Sequence, residues 1–265
     1  MSQWSLMNTM DLDNALDRFT REARSVAPIA AVWVHGSLAL GDYQQGRSDL
    51  DLIAVAASEL TEDHRRALEQ LHRDLIRTEP TVAKLHCSYM LADDLGDLGK
   101  RHFTWAQGRV LNRPVTPVTR RELHLGRRSL YGPSPVDMLP AVTDQQLDEF
   151  IRRDLSEYWQ PRAAKPMYWM IDLWVDLGML TVARATATLR DGRLLTKGEA
   201  LAELAALRAP AEVIADIRAR RYAHVTPLNP YRRRHRAQRT GSFIRSAIKR
   251  ALLLPAPAPD TDAAP

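Results

Sequence analysis

Two aspartates separated by one residue, and preceded by a glycine-serine pair, are the residues of this chain best suited to chemistry. They are Asp49 and Asp51, and the preceding pair is Gly36 and Ser37. Because side chains alternate between faces along a strand, the two carboxylates point to one side while Leu50 points to the other. Neighbouring carboxylates repel each other unless a cation compensates them, and Mg²⁺ is commonly held by one or two carboxylates plus substrate phosphates. The spacing therefore predicts a magnesium site.

The glycine-serine pair lies where an apolar stretch ends, which is a suitable position for binding phosphate groups. Gly36 has no side chain, so a triphosphate can approach the backbone closely. A helix beginning near Ser37 would add free backbone N–H groups, and the hydroxyls of Ser37 and Ser48 would add further donors. With a metal at Asp49 and Asp51, these groups predict nucleotidyl transfer, in which an acceptor hydroxyl attacks an α-phosphorus.

The order of these parts resembles the nucleotidyltransferase signature of the polymerase-β-like superfamily. That signature has a hydrophobic strand, Gly-Ser, a spacer and then Asp-x-Asp in a second strand, and it covers residues 31–55 here. A lone Asp-x-Asp is usually a solvated strand end, whereas the full string is more specific. The resemblance implies an enzyme that uses ATP as a substrate, Mg²⁺ as a cofactor and a hydroxyl as the acceptor of AMP.

The second half of the chain resembles the aminoglycoside adenylyltransferases that modify streptomycin and spectinomycin. The matching strings are residues 180–184, which end at Arg184, and residues 191–197, which end at Lys197. By this resemblance both are nucleotide-binding residues. Lys197 would reach the ATP phosphates, while Arg184 would hold the interdomain cleft or form a structural ion pair. The resemblance also implies an aminoglycoside-like acceptor and a role in antibiotic resistance.

A polycationic acceptor of this kind needs carboxylates and an aromatic wall in its pocket. The candidates for contact with this substrate are Trp105, Asp172 and Asp176. The two aspartates are four residues apart and therefore share one helical face. An exposed acidic stripe would give the same spacing, so both interpretations stay open at this stage.

The third predicted strand departs from the family pattern at its catalytic position. The family carries a carboxylate there as the general base, whereas this chain has His86. A neutral imidazole can accept a proton, so His86 is the candidate catalytic base beside Asp49 and Asp51. The alternative is that the substitution marks lost activity, which would leave a nucleotide-binding homologue.

The periodicity of apolar residues predicts two domains. The first, residues 1–140, is an α/β (or α+β) nucleotidyltransferase domain with a small mixed sheet. The second, residues 141–253, is an all-α helical bundle, and a Pro/Ala-rich tail over 254–265 is expected to be disordered. The elements predicted for the first domain are helices over 11–25, 62–77 and 120–128 and strands over 29–35, 49–56 and 81–91. The helices predicted for the second domain cover 144–158, 165–189, 197–207, 211–222 and 242–253.

Composition indicates a soluble globular protein and bears on its cellular compartment. The 265 residues are 45% hydrophobic and 26% charged, which is ordinary for that class. Cys87 is the only cysteine, so no disulfide can form within the chain. We see neither a signal peptide nor a membrane span in the sequence, so a cytoplasmic location and no membrane partner are expected.

An arginine-rich segment over residues 218–250 accounts for much of the net charge of +5. Such a run can be a nucleic-acid footprint, a solvated face, or a source of long-range attraction for a polyanionic nucleotide. The first option would allow nucleotidyl transfer to RNA or to a protein. Because the other two interpretations involve no nucleic acid as acceptor, nucleic acid is a less favoured partner than ATP and a small hydroxyl acceptor.

Overall fold

The computed structural model describes residues 3–223 and 227–257, and the chain divides into two compact units, Met1–Ala141 and Val142–Pro265. Of the tail expected to be disordered, residues 258–265 lie outside the described residues, and 254–257 contain neither helix nor strand. Among the described residues, no helix has both the length and the apolar character needed to cross a bilayer.

The first unit is built around one mixed sheet of six strands. Its elements, in chain order, are α1 Gln3–Val26, β1 Ile29–His35, α2 Gly36–Ala39, β2 Leu50–Ala56, α3 Glu62–Thr78, β3 Leu85–Leu91, β4 Arg101–Ala106, β5 Arg109–Pro114, α4 Pro117–Gly126, β6 Arg128–Tyr131 and α5 Pro135–Met138. The strand order is β5-β4-β3-β2-β1-β6. The β2–β3 pair is parallel and every other pair is antiparallel, which confirms the predicted mixed sheet.

Both faces of this sheet are covered, and the strand alternation assigns each residue to one of them. Helices α1 and α3 bury one face with apolar side chains such as Phe19 and Leu68, which belong to the same core cluster as Leu52. The opposite face carries Trp33 and packs against the region of α4. Each face removes a continuous apolar surface from water, which is the main favourable contribution to the stability of the unit. Asp51 lies on the second face, between strand neighbours that position it.

Local signals explain where the predicted elements begin. Thr61 caps α3 through a reciprocal capping box with His64, as its position before a charged helix predicts. The third strand begins at Leu85 rather than at residue 81, because Pro80–Val82 form a 3₁₀ turn. Strands β4, β5 and β6 were not predicted from the sequence.

The second unit consists of helices. They are α6 Asp144–Arg153, α7 Gln160–Ala163, α8 Pro166–Trp169, α9 Asp172–Asp191, α10 Lys197–Ala206, α11 Ala211–Tyr222 and α12 Pro230–Leu252, and a π-helical turn over Asp154–Trp159 joins α6 to α7. The predicted helix over 165–189 is broken between α8 and α9. The last helix begins at Pro230 rather than at residue 242, because Asn229 caps it and Pro230 occupies its first turn.

Trp169 is the centre of the described core of this unit. A Cβ atom placed on Gly178 of α9 or on Gly241 of α12 would lie 2.7 or 2.8 Å from the indole. The two glycines therefore leave room for a large aromatic side chain between helices that pack closely. This packing confirms the predicted helical class of the second unit.

Candidate active site

The turn after β1 places Gly36 directly against Asp51. Gly36 has a φ of +65°, which is a backbone conformation that favours glycine. A Cβ atom at this position would lie 2.8 Å from Oδ2 of Asp51. The sequence predicted that the missing side chain leaves room for a phosphate. The structure shows that the atom nearest to the space left by this missing side chain is Oδ2 of Asp51, on β2.

Asp49 and Asp51 lie at the start of β2, beside the same turn. Leu50 and Leu52, which alternate with them, are buried in the opposite face of the sheet. Burial and the charge of Asp49 together raise the pKa of Tyr43, so the Asp49 carboxylate interacts electrostatically with this tyrosine in the loop between α2 and β2. The strand itself begins at Leu50, one residue later than predicted, and Asp49 immediately precedes it.

His86 is the neighbour of Asp51 on the parallel strand β3. The two residues are register partners, and Nδ1 of His86 lies 3.3 Å from Oδ1 of Asp51. Both side chains are partly exposed, at 13% for His86 and 26% for Asp51. The structure therefore brings together the predicted base and one of the two predicted metal ligands, and the shared contact orients the imidazole.

Two further residues, His35 and Glu122, lie beside this site. His35 is the register partner of Asp51 on β1, so a histidine flanks Asp51 on each side. Nδ1 of His35 lies 3.6 Å from Oε2 of Glu122, which is carried by α4. From the sequence, His35 could contact the nucleotide or simply pack in the fold, and packing is the default interpretation. No local spacing connects Glu122 with the Asp-x-Asp motif, so its position emerges only from the fold.

The two serines of the predicted phosphate site have different surroundings. Ser37 is half-buried in α2, and its carbonyl oxygen accepts a hydrogen bond from the N–H of Asp42 at 2.8 Å. Ser48 is buried, and its hydroxyl accepts the N–H of Gln44 at 3.0 Å, which closes the turn before β2. Because α2 spans only four residues, its macrodipole adds little. Phosphate binding by either serine remains a prediction.

The donor set at this site suits a hard cation shared with phosphate groups. Within residues 3–223 and 227–257, no three His, Cys, Asp or Glu side chains are grouped closely enough to hold a metal by themselves. Two carboxylates next to a glycine turn match the way Mg²⁺ is bound together with substrate phosphates. Asp49 and Asp51 are the residues that would hold it.

In the second unit, Arg184 and Lys197 belong to one turn. Nε of Arg184 donates a hydrogen bond of 2.6 Å to the carbonyl of Leu195, so this side chain holds the loop that leads into α10. Lys197 is the first residue of α10, after the capping pair Thr196 and Glu199. No acidic side chain pairs with Lys197 among the residues that the structure describes. The nucleotide contacts predicted for both residues remain predictions.

The aromatic wall predicted for an acceptor pocket is not available, and that prediction is wrong. Trp105 is 1% exposed and lies in the core on β4. Its indole stacks on the ring of His72, with centroids 5.2 Å apart and an angle of 8° between the planes. The alternating strand β4 directs Trp105 to the face covered by α3, so this side chain stabilises the fold and cannot contact a substrate.

Arginines pair with both aspartates of the predicted acidic wall. Asp176 accepts hydrogen bonds from Nε and Nη2 of Arg220 at 3.0 and 2.6 Å. Asp172 lies 2.6 Å from Nη2 of Arg236, and Asp216 is shared between the two arginines. These pairings give both aspartates a structural role within the bundle, while the side chain of Asp172 stays 51% exposed. Contact of Asp172 and Asp176 with a substrate remains a prediction.

Comparisons with known proteins agree with this geometry. The family described as "Nucleotidyltransferase domain" matches residues 16–100, which include the turn at Gly36, both aspartates and His86. Among solved structures, the chain is similar to a spectinomycin adenyltransferase, AAD(9), from Enterococcus faecialis, which was crystallised with ATP and spectinomycin. The TM-score is 0.64 at 14% identity, over 91% of this chain and 99% of the other. No curated protein matches the sequence at a significant level.

The matched residues coincide with the part of the sheet that brings Gly36, Asp51 and His86 together. The structural similarity covers 91% of this chain and therefore includes residues of both units. Residues 16–100 therefore match the nucleotidyltransferase domain family, in a chain whose fold is similar to that of the spectinomycin adenyltransferase.

Proposed function

We propose that this protein transfers AMP from ATP to a hydroxyl group of a small molecule in a reaction that depends on Mg²⁺. One observation carries the proposal: the carboxylate of Asp51 faces the space that a side chain at Gly36 would fill. A metal bound by that carboxylate would lie next to phosphates resting on the glycine turn. The nucleotidyltransferase match over residues 16–100 supports the reaction class.

Each residue of the site has a distinct task in this proposal. Asp49 and Asp51 hold the cation, while Gly36 and Ser37 let the phosphates approach the backbone. When bound, Mg²⁺ supplies neutralisation of the charge that develops on the phosphates. Asp51 has a second task, because its contact with Nδ1 of His86 fixes the imidazole beside the phosphate site.

His86 is the group that would accept the proton of the attacking hydroxyl. Its Nδ1 faces Asp51, so Nε2 is the nitrogen left for the acceptor. In many hydrolases and transferases, a carboxylate orients the histidine that acts as the general base. The histidine therefore substitutes for the carboxylate base of the resembling family without adding a third negative charge beside Asp49 and Asp51.

The acceptor is the least constrained part of the proposal. The similar protein was crystallised with spectinomycin, which supports a hydroxyl-bearing antibiotic of the aminoglycoside type as the first acceptor to test. Trp105, Asp172 and Asp176 do not contribute to this choice, because the first is buried and the other two are paired with arginines. The proposal for the acceptor therefore depends on the shared fold.

A screen of acceptors with ATP and Mg²⁺, measured by pyrophosphate release, tests this proposal. Release that depends on one acceptor, together with AMP incorporated into that acceptor, is the expected result. Asp51→Asn should reduce turnover by about a thousandfold, which corresponds to roughly 4 kcal/mol of transition-state stabilisation. Asp63→Asn is the matched control, because Asp63 is an exposed carboxylate of the same unit on α3.

Two results would contradict the proposal. Full activity of Asp51→Asn would remove the metal role of this carboxylate. ATP binding without turnover over a broad panel of hydroxyl acceptors would indicate a nucleotide-binding protein that has lost catalysis, in which His86 does not replace the carboxylate base.

A further inference from the structure

Helix α12 is the most strongly charged element of the described chain. Over Pro230–Leu252 it carries seven arginines and one lysine and neither aspartate nor glutamate. One side of the helix is buried in the bundle through side chains such as Phe243 and Ile244. The opposite side is exposed to solvent, and Arg232, Arg239 and Arg250 recur on it at spacings of seven and eleven residues, so these three line one face over about 27 Å.

This face is one wall of two adjoining cavities in the second unit. A cavity of about 620 Å³ lies between α12 and the residues that follow α10, including Arg208. A second cavity of about 430 Å³ lies between α12 and α11, and Glu212 and Asp216 also line it. Arg239 lines both cavities, so the two meet at this side chain and we take them together as one trough. We call the trough the basic groove and define it by Arg208, Tyr231, Arg232, Arg239 and Arg250.

Two acids of α11 that line the second cavity compensate part of this charge. Arg236 is neutralised by Asp216 at 2.6 Å, and Arg239 is paired with Glu212 at 2.8 Å. Within the described residues, Arg208, Arg232 and Arg250 have no acidic partner, and all three are exposed. Exposed guanidinium groups along one trough present a row of hydrogen-bond donors to a ligand that carries regularly spaced negative charges.

An aromatic side chain stands at one end of the row. Tyr231 is 80% exposed, which is unusual for a large aromatic residue, and it lines the second cavity beside Arg232. Ser242 and Ser246 contribute hydroxyl groups to the first cavity. Guanidinium groups that track a backbone, with an aromatic ring on which a base can stack, are the elements with which proteins bind single strands.

We propose that the basic groove binds a single-stranded nucleic acid. A duplex is read by elements that protrude into its grooves, whereas α12 forms the wall of a concavity. An anionic lipid surface would be met by basic residues combined with apolar ones on a convex face, and this stretch of α12 presents Tyr231 as its large exposed apolar side chain. The inference is independent of the proposed adenylyl transfer, because Arg208 is at the opposite end of α10 from Lys197.

Fluorescence anisotropy with a labelled oligouridylate of about 12 nucleotides tests the inference on the full chain. We expect binding in the micromolar range at about 50 mM salt, with log K falling against log salt at a slope of about −2 to −3. The triple variant Arg208→Gln, Arg232→Gln, Arg250→Gln should reduce the size of that slope by about 2, since each phosphate contact on a single strand contributes about 0.7.

A matched control separates the groove from net charge. Arg109→Gln, Arg153→Gln, Lys165→Gln removes the same number of charges at exposed positions outside the groove, and its binding should equal that of the unmodified protein. Tyr231→Ala should weaken binding about tenfold at constant slope, because it removes stacking and no charge. Tyr231→Phe should restore the affinity.

Three results would overturn the inference. One is the absence of oligouridylate binding at low salt. The second is an equal loss of binding in the groove variant and the control variant, which would assign the effect to net charge. The third is sedimentation with vesicles of phosphatidylserine and phosphatidylcholine that depends on the groove arginines, without any oligonucleotide binding. Acceptor turnover is not measured in this test, so its outcome is separate from that of the proposed adenylyl transfer.

Discussion

Replacing Gly36 with alanine is expected to weaken both the fold and the binding of the nucleotide. The substitution has two separate effects at this position. The φ of +65° is unfavourable for any residue with a Cβ atom, which costs about 1–2 kcal/mol of unfolding free energy. The new methyl group would also lie 2.8 Å from Oδ2 of Asp51, which is closer than real Cβ contacts.

The second effect reaches the proposed metal site. The Asp51 oxygen would have to retreat from 2.8 Å to about 3.4 Å to restore an ordinary contact distance. The displacement is about 0.6 Å, and a misplacement of about 1 Å at a reacting centre can cost about a hundredfold in rate. It also disturbs the contact between Asp51 and Nδ1 of His86. We therefore expect the affinity for an ATP analogue in the presence of Mg²⁺ to fall at least about tenfold.

Gly41→Ala is a matched control for the backbone effect alone. Gly41 has a φ of +73°, and nothing lies within 4 Å of the position that its Cβ atom would take. Urea denaturation should give similar losses of unfolding free energy for the two variants. Calorimetry with a non-hydrolysable ATP analogue should show weakened binding for Gly36→Ala only. Equal affinities of the two variants would refute the claim that the glycine space is the phosphate site.

Three further predictions concern the fold that supports the site. Burial, reinforced by the charge of His86, lowers the pKa of His72 to about 3. Between about pH 3 and 6.5 the unfolded chain therefore binds more protons at this residue, and His72 should lower the unfolding free energy by about 2 kcal/mol from pH 7 to 5. His72→Gln should remove that part of the pH dependence in urea denaturation, while the part due to His102, whose pKa burial also lowers, should remain. Arg120 is buried and donates hydrogen bonds to the carbonyls of Leu95, Val115 and Asp97. Arg120→Met should lower the unfolding free energy by about 3 kcal/mol or more, and Arg120→Lys should recover little of it. A smaller loss in urea denaturation would contradict this structural role. Thr61→Ala should cost about 1 kcal/mol through loss of the α3 capping box, and Thr61→Ser should restore it; a melting temperature unchanged by the alanine would contradict the cap.

The sequence was sufficient for the part of the fold that has strong local signals. Strand β1 was predicted with the bounds that the structure gives, because an unbroken apolar run ends at a glycine. Helix α3 was predicted to within one residue, because Thr61 marks its start and Glu79-Pro80 marks its end. Gly36 directly follows β1, and α3 follows β2 along the chain, so the central motif could be placed without a structure.

Strands β4 and β5 were missed because their local signals are weak. Strand β4 is buried on both faces, and His102 and Thr104 on one face replace the apolar residues that a buried strand usually shows. The turn between the two strands has positive φ at Gln107 and Gly108, and a glutamine is a weaker signal for such a turn than an asparagine or aspartate. Because β4 was missed, Trp105 was wrongly predicted to contact the substrate.

The arginines of the second unit show a different limit of sequence analysis. The run over residues 231–239 suggested a solvated or nucleic-acid-binding segment, and the structure places it in the first turns of α12. Pairing between charges far apart in sequence, such as Asp176 with Arg220, carries no local pattern. The same limit applies to Glu122, which reaches the site only because α4 packs against the sheet.

The most direct test of the central claim is a titration of Mn²⁺ observed by electron paramagnetic resonance in the presence of a non-hydrolysable ATP analogue. Mn²⁺ takes oxygen ligands as Mg²⁺ does. The unmodified protein is predicted to remove one equivalent of free Mn²⁺ signal per chain, and the variant Asp49→Asn, Asp51→Asn is predicted to leave that signal at the level of the nucleotide alone. Equal Mn²⁺ binding by the two proteins would show that these carboxylates do not hold the metal.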